Sequence, residues 1–245
     1  MSAGLQTETR KIRFQAASGS EEVSAVFVRP ENPRWLLVFA HGAGAGMHHP
    51  FMRCMAEALA RHDIATFRYQ FPYMERGRKF PDPQPVLMKT VRAAVDAAQD
   101  IGGQLPLLAG GKSLGGRMTS NAAARQPLPG VHGLVFFGFP LHAPGKPSTE
   151  RAAHLLQVTV PMLFLQGTRD KLADLKLLGP LCRDLGDRAH LHIVEQADHS
   201  FLVPKKSGKS DEQVFQELAL VVQSWAATLA LCPLPQKSLD SYGNI

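Results

Sequence analysis

The chain is poor in the features that mark secreted, membrane-spanning or nucleic-acid-binding proteins. Only three of its 245 residues are cysteine. Cys54, Cys182 and Cys232 lie far apart, within or beside apolar helical patterns, with neither a disulfide framework's even count nor a zinc site's paired spacing. They read as reduced, mostly buried thiols. No apolar run approaches the roughly 20 residues that a bilayer-spanning helix needs. The opening Met1-Ser2-Ala3-Gly4-Leu5-Gln6-Thr7-Glu8 has neither the basic start nor the apolar centre of a secretory signal. A soluble cytoplasmic protein, with no membrane partner, is expected.

The formal charge of +6 invites a nucleic-acid reading, because clustered lysines and arginines bind phosphates by releasing counterions. Small groups occur at Arg10-Lys11-Arg13, Arg76-Arg78-Lys79 and Lys205-Lys206-Lys209, but no aromatic ladder or nucleic-acid motif accompanies them. An ordinary solvated surface accounts for them better, and no nucleic-acid partner is expected. Two phosphate motifs also fail on inspection. Gly111-Lys112-Ser113 would need a glycine where Pro106 stands to make a P-loop. His41-Gly42-Ala43-Gly44-Ala45-Gly46 would place the third glycine of a dinucleotide fingerprint on Met47.

What is present is an α/β pattern. With 44% hydrophobic and 20% charged residues, the chain can bury a substantial core as one domain. Strand-like and helix-like runs alternate from Trp35 onward, which predicts a mainly parallel, doubly wound sheet with helices on both faces. The expected strands are Leu36–Ala40, Ile64–Tyr69, Leu105–Ala109, Gly133–Phe139, Met162–Gln166 and His190–Val194. The expected helices are Pro50–Arg61, Val86–Gln99, Leu114–Arg125, Asp174–Leu185 and Asp211–Leu231. Ile12–Ala16 and Val23–Val28, separated by Ser18-Gly19-Ser20-Glu21, predict an N-terminal antiparallel hairpin at one sheet edge. The expected domain covers 11–232, after a flexible N-terminus over 1–10 and before a loose tail over 233–245. Between Phe139 and Met162 there is room for a short helix near Thr149–Leu156, but not for a large lid.

The chemistry concentrates where strands should end. Leu107-Leu108-Ala109-Gly110-Gly111-Lys112-Ser113-Leu114-Gly115-Gly116 sets a serine between two glycines at a strand-to-helix turn, the pattern of a nucleophile elbow. A serine hydroxyl needs a neighbouring base to take its proton as it attacks a carbonyl. His199, in the polar loop Glu195-Gln196-Ala197-Asp198-His199-Ser200-Phe201 after the last strand, stands where a Ser, acid, His order puts that base. His190 and His192 lie within the strand itself, and His41, His48 and His49 in the loop expected to shape the oxyanion pocket. Asp170 follows the strand that ends at Gln166 and is the expected carboxylate; read alone, it would be a turn or capping residue. Asp174 fits a helix cap better, and Asp198 is too close in sequence to reach behind the His199 ring. The backbone N–H groups of Leu114 and Ala43 are the expected oxyanion donors, with Gly42 and Gly44 letting the loop turn inward.

His41, Lys112, Arg68 and Tyr73 are candidate substrate-binding residues. Lys112 and Arg68, with Arg78, Lys146 and Arg151, would form a basic rim drawing in substrates that carry a carboxylate or phosphate. The plainer alternative makes these surface charges, or partners of Glu75, Asp82 and Glu150.

Together these residues resemble the α/β-hydrolase superfamily over about Val23 to Leu231. Several segments resemble more narrowly its small dienelactone-hydrolase-like branch. They are His41-Gly42-Ala43-Gly44-Ala45-Gly46-Met47, Phe71-Pro72-Tyr73-Met74-Glu75, Gly111-Lys112-Ser113-Leu114-Gly115-Gly116-Arg117, Phe139-Pro140-Leu141-His142, Gln166-Gly167-Thr168-Arg169-Asp170 and Ala197-Asp198-His199-Ser200-Phe201. That branch includes bacterial hydrolases and relatives of testis-expressed and histone-acetyltransferase-complex subunits. The resemblance implies an α/β-hydrolase fold with Ser113, Asp170 and His199 as the triad. It departs at the nucleophile: dienelactone hydrolases proper use cysteine where this chain has Ser113, so their substrate does not carry over. The expected function is a serine hydrolase acting on a small soluble carboxylic ester or thioester, with no metal or organic cofactor. The alternatives are a hydrolase-fold scaffold that has lost the reaction and a peptidase.

Overall fold

The runs Trp35–Ala40, Ile64–Tyr69 and Met162–Gly167 are buried at every position, as strands covered on both faces by helices must be. They belong to an eight-stranded sheet in a computed structural model that describes residues 5–16 and 19–229. The strands are β1 (Gln6–Ala16), β2 (Gly19–Arg29), β3 (Trp35–Ala40), β4 (Ile64–Tyr69), β5 (Leu107–Lys112), β6 (Val131–Phe137), β7 (Met162–Gly167) and β8 (Ala189–Val194). Their spatial order is β1-β2-β4-β3-β5-β6-β7-β8. The pairs β1·β2 and β2·β4 are antiparallel, and every pairing from β4·β3 to β7·β8 is parallel.

The helices are α1 (Pro50–Ala60), α2 (Pro72–Glu75), α3 (Gln84–Gly102), α4 (Leu114–Arg125), α5 (Leu175–Asp184) and α6 (Asp211–Leu229). Alternation along β3 divides the core. Leu36, Val38 and Ala40 face the layer formed with α3, α4 and α5, while Trp35, Leu37 and Phe39 face α1 and α6. The chain leaves β3 through α1 to β4 on one side and later returns through α3 to β5 on the other. That reversal opens a crevice at the carboxyl ends of β3 and β5, the place where open α/β sheets collect ligands. Among the described residues no helix is long and apolar enough to cross a membrane.

The expected fold class is the observed one: a mainly parallel sheet, an N-terminal antiparallel hairpin and no large lid. Between β6 and β7 the chain forms a 3-10 helix over Glu150–Gln157. Several details differ. The hairpin strands are each 11 residues long, so residues 6–10 pair with β2 where a flexible N-terminus was expected. Charged and polar side chains dominate that stretch because β1 is an edge strand held mainly by its backbone, so no apolar alternation announces it. Strand β5 runs on to Lys112 because Gly110 and Gly111 admit neighbouring backbone; a Cβ on Gly110 would lie 1.9 Å from the Val135 carbonyl oxygen. Strand β6 stops at Phe137 because Gly138 takes φ 69°. Helix α2 was not foreseen. Cys54 is exposed, not buried, on the outer side of α1, whereas Cys182 is buried. Cys232, the end of the last expected helix and the 233–245 tail lie outside the described residues.

Candidate active site

Ser113 is the single residue between β5 and α4. Its backbone sits at φ 51°, ψ −117°, a conformation of the kind that costs a non-glycine residue about 1–3 kcal/mol and persists only where its surroundings impose it. The imposition is visible. The Ser113 N–H donates to Phe137 O at 3.2 Å, and Ser113 O accepts from the Arg117 N–H at 3.1 Å. A Cβ on Gly111 would approach the Ala40 carbonyl oxygen to 2.3 Å, and one on Gly115 would approach it to 2.5 Å. Both glycines are therefore required by close approach of the elbow to the end of β3.

Two further strand ends bring in the candidate acid and base. After β7, the chain turns at Asp170, whose Oδ1 accepts the Leu172 N–H at 2.8 Å. After β8, Asp198 accepts the N–H groups of Ser200 and Leu202 at 2.8 and 3.0 Å, folding the loop around His199. Gly167 lets the two loops meet, since a Cβ there would lie 2.3 Å from the Ala197 carbonyl oxygen. His199 Nδ1 is 2.7 Å from Asp170 Oδ2. A carboxylate can only accept, so Nδ1 carries the proton and Nε2 keeps its lone pair. Burial alone would raise the Asp170 pKa, but the His199 hydrogen bond and charge, the Leu172 N–H and the Lys112 charge together hold it below the usual carboxylate range. Asp174 is a helix cap, accepting the Lys176 N–H at 2.8 Å.

The loop after β3 is clamped from below. His41 is fully buried; its Nε2 accepts the Phe71 N–H at 3.1 Å, so its Nδ1 donates to Gly42 O at 2.7 Å. Burial pushes its pKa down to about 4 against that hydrogen bond, with the charge of His49 adding to the depression, and keeps the ring neutral. Tyr73 Oη accepts the Gly44 N–H at 3.1 Å, and Gln70 accepts the Met47 N–H at 2.8 Å. Gly44 and Gly46 both take positive φ, 68° and 74°. Ala43 is thereby set at the cleft and Leu114 in the first turn of α4, where N–H groups lack intrahelical partners.

Ser113, His199, Ala43, Gly42 and Lys112 line one cleft of about 310 Å³, together with Phe51, Met52 and Leu172. Larger grooves of about 630 and 500 Å³ lie between α1 and α6 and between β1 and α3. Neither includes Ser113, so volume does not locate the chemistry. Of the four candidate substrate-binding residues, three have structural occupations and Lys112 lines the cleft. His41 and Tyr73 support the loop, and Arg68 is buried and donates to Met47 O at 3.2 Å. Lys112 is buried with its Nζ out of solvent. Arg78 lies 3.7 Å from Asp82, and none of Arg68, Arg78, Lys146 and Arg151 lines the cleft. The expected basic rim reduces to Lys112, while Arg68 and Arg78 turn to local carbonyl and carboxylate partners.

Sequence reasoning missed one contributor. Gln166 is fully buried and donates from Nε2 to Asp170 Oδ2 at 2.5 Å, a third hydrogen bond fixing the carboxylate. Its signal was a polar residue closing the otherwise apolar run Met162-Leu163-Phe164-Leu165.

Comparison with known proteins agrees with this architecture. A family model described as an alpha/beta hydrolase domain matches residues 33–227. A dienelactone hydrolase from Anabaena variabilis ATCC 29413 superposes with a TM-score of 0.70 at 21% identity, covering 91% of this chain and 98% of that one. An α/β serine hydrolase without lid from Xanthomonas campestris gives 0.67 at 17% identity, covering 89% and 95%. Two Mycobacterium tuberculosis proteins, from strains CDC 1551 / Oshkosh and ATCC 25618 / H37Rv, bear the name "Putative phosphoribosyl transferase". Each is 28% identical over 206 residues. The match covers 82% of this chain and 44% of theirs, so the chain spans under half the length of these relatives.

Proposed function

The chain belongs to the alpha/beta hydrolase domain family, and from that premise we propose that it is a serine hydrolase of small carboxylic esters or thioesters. Ser113 Oγ attacks the acyl carbon while its proton passes to His199 Nε2. Asp170 holds the imidazole by Nδ1 and stabilises the imidazolium, and Gln166 holds Asp170. The N–H groups of Ala43 and Leu114 receive the oxyanion. The proton on His199 leaves with the alcohol or thiol, and water, activated by the same imidazole, then releases the acid and restores Ser113.

The observation that carries this reading is the strained Ser113 elbow opening into the cleft that His199 also lines, with Asp170 bound behind the imidazole. A dienelactone substrate is not carried over, since the nucleophile here is a serine. Phosphoribosyl transfer is not carried over either, from relatives whose remaining length this chain does not match. A cleft of about 310 Å³ without a large lid suits short acyl groups. The purified protein should hydrolyse 4-nitrophenyl acetate or butyrate, or the matching thioesters, and prefer them to long-chain triglycerides. Turnover of triglycerides alone, or of peptide amides in preference to esters, would contradict the assignment.

A further inference from the structure

The mechanism above leaves one charged side chain of the site without a task. Lys112 precedes the nucleophile, is 8% exposed, and its Nζ is buried without a hydrogen-bond partner. A buried ammonium in that condition is costly and calls for an electrostatic reason. Its surroundings supply one. Nζ lies 5.6 Å from the centroid of the Phe51 ring and 5.7 Å from that of Phe201, two aromatic faces that partly replace water. Opposite stands Gly138, whose φ of 69° and missing side chain open the third side. A Cβ on Gly138 would lie 3.2 Å from Lys112 Nζ, 3.3 Å from Asp170 Oδ2 and 3.3 Å from His199 Nδ1. One methyl-sized point therefore borders the ammonium, the carboxylate and the imidazole together.

We propose that Lys112 is a positioning residue that acts electrostatically on the Asp170–His199 pair: its ammonium opposes a second positive charge on the imidazole that Asp170 holds. The proposal rests on the hydrolase reading of the site. With Lys112 protonated, the Lys112, Asp170 and His199 cluster is neutral at rest and gains one positive charge when the serine proton reaches Nε2. With Lys112 neutral, the cluster starts with one negative charge and becomes neutral at that step, which is easier in a water-poor interior. The groups facing Lys112 are the carboxylates of Asp170 and Asp198, the His199 imidazole and the two rings. Burial lowers its pKa to about 8 against the pull of the two carboxylates, which brings this exchange into the working range.

The test follows the rate at which a fluorophosphonate labels Ser113 from about pH 5 to about pH 10 in wild type, Lys112→Met and Lys112→Arg. Nitrogen-15 imidazole resonances, assigned through His199→Gln, are followed in the same samples. Wild type should show a second rise of several-fold near the Lys112 pKa of about 8. Lys112→Met should lose that rise and carry the acid limb, and the imidazole titration, upward by about one pH unit. Lys112→Arg, which stays charged, should lose the rise and keep the wild-type acid limb. Superimposable profiles in wild type and Lys112→Met would overturn the proposal, as would an effect confined to KM for anionic esters. If Lys112→Met does not fold, persistence of the second rise in Lys112→Arg overturns it. Absence of labelling in wild type at every pH would count against the hydrolase reading instead, and the imidazole titration would still decide the role of Lys112.

Discussion

Asp170–His199 and Arg13–Glu22 are both 2.7 Å contacts between an acid and a base, and they sit in opposite settings. The Asp170 side chain is 0% exposed, while Arg13 on the hairpin is 80% exposed. At the hairpin, water solvates the charges whether or not they touch, so such a pair contributes about 0–1 kcal/mol and fades with salt. Its neighbours around β2 and α2, Lys11 with Glu75 and Arg76 with Glu21, lie between the two settings, with exposed cations on partly covered carboxylates. At the sheet's carboxyl edge the Asp170 side chain is shielded from water, so the same contact fixes a tautomer and a proton's position. The backbones differ in the same sense. The hairpin runs in unbroken register from Gln6 with Arg29 to Ala16 with Gly19, whereas the site holds Ser113 and Phe201 at φ 51° and 62°. Length and partner identity do not assign a role to an ion pair; burial and the strain around it do.

The contrast should be sharpest at Asp170. Asp170→Asn keeps the shape but presents an amide donor to His199 Nδ1, inverting the tautomer. Labelling of Ser113 and ester turnover should fall on the order of 10³–10⁴-fold with the fold retained. A loss of less than tenfold would put Asp170 back among turn residues. Acid stability comes next. His41 and His154 have pKa values depressed to about 4, in both cases chiefly by burial. The unfolded chain therefore binds protons that the native state refuses between the ordinary value of 6.5 and about 4. Stability is full above that window and declines as pH falls through it, by on the order of 3 kcal/mol from His41. Denaturant titrations at the two ends of the window should show the decline, and His41→Gln, which cannot titrate, should flatten it if it folds. The smallest effect belongs to the hairpin. Arg13→Ala should change stability by less than about 1 kcal/mol and leave activity untouched; a larger loss would mean that exposed pairs and buried pairs are not so different here.

Much of this was legible in the sequence. Parallel strands buried on both faces announce themselves as apolar runs, and the residues that end them stand out as glycine, serine, aspartate and histidine. Gly111, Ser113, Asp170 and His199 could therefore be placed on strand ends before any coordinates. What stayed hidden depends on contacts between distant segments. Residues 6–10 form a strand through backbone pairing alone. Lys112 read as a rim cation because sequence cannot show that Phe51 and Phe201 close over it. Gly138 fell inside the expected strand Gly133–Phe139 and Gly167 just past another, and nothing in the sequence shows that the spaces they leave border Lys112, Asp170, His199 and the 197–198 backbone.

The most direct measurement of the central claim is the site of fluorophosphonate attachment, located by mass spectrometry in wild type and Ser113→Ala. A single adduct should form on Ser113 and be absent in the variant. A folded wild-type protein that stays unlabelled even by a smaller phosphonate, or one labelled equally in Ser113→Ala, would contradict it.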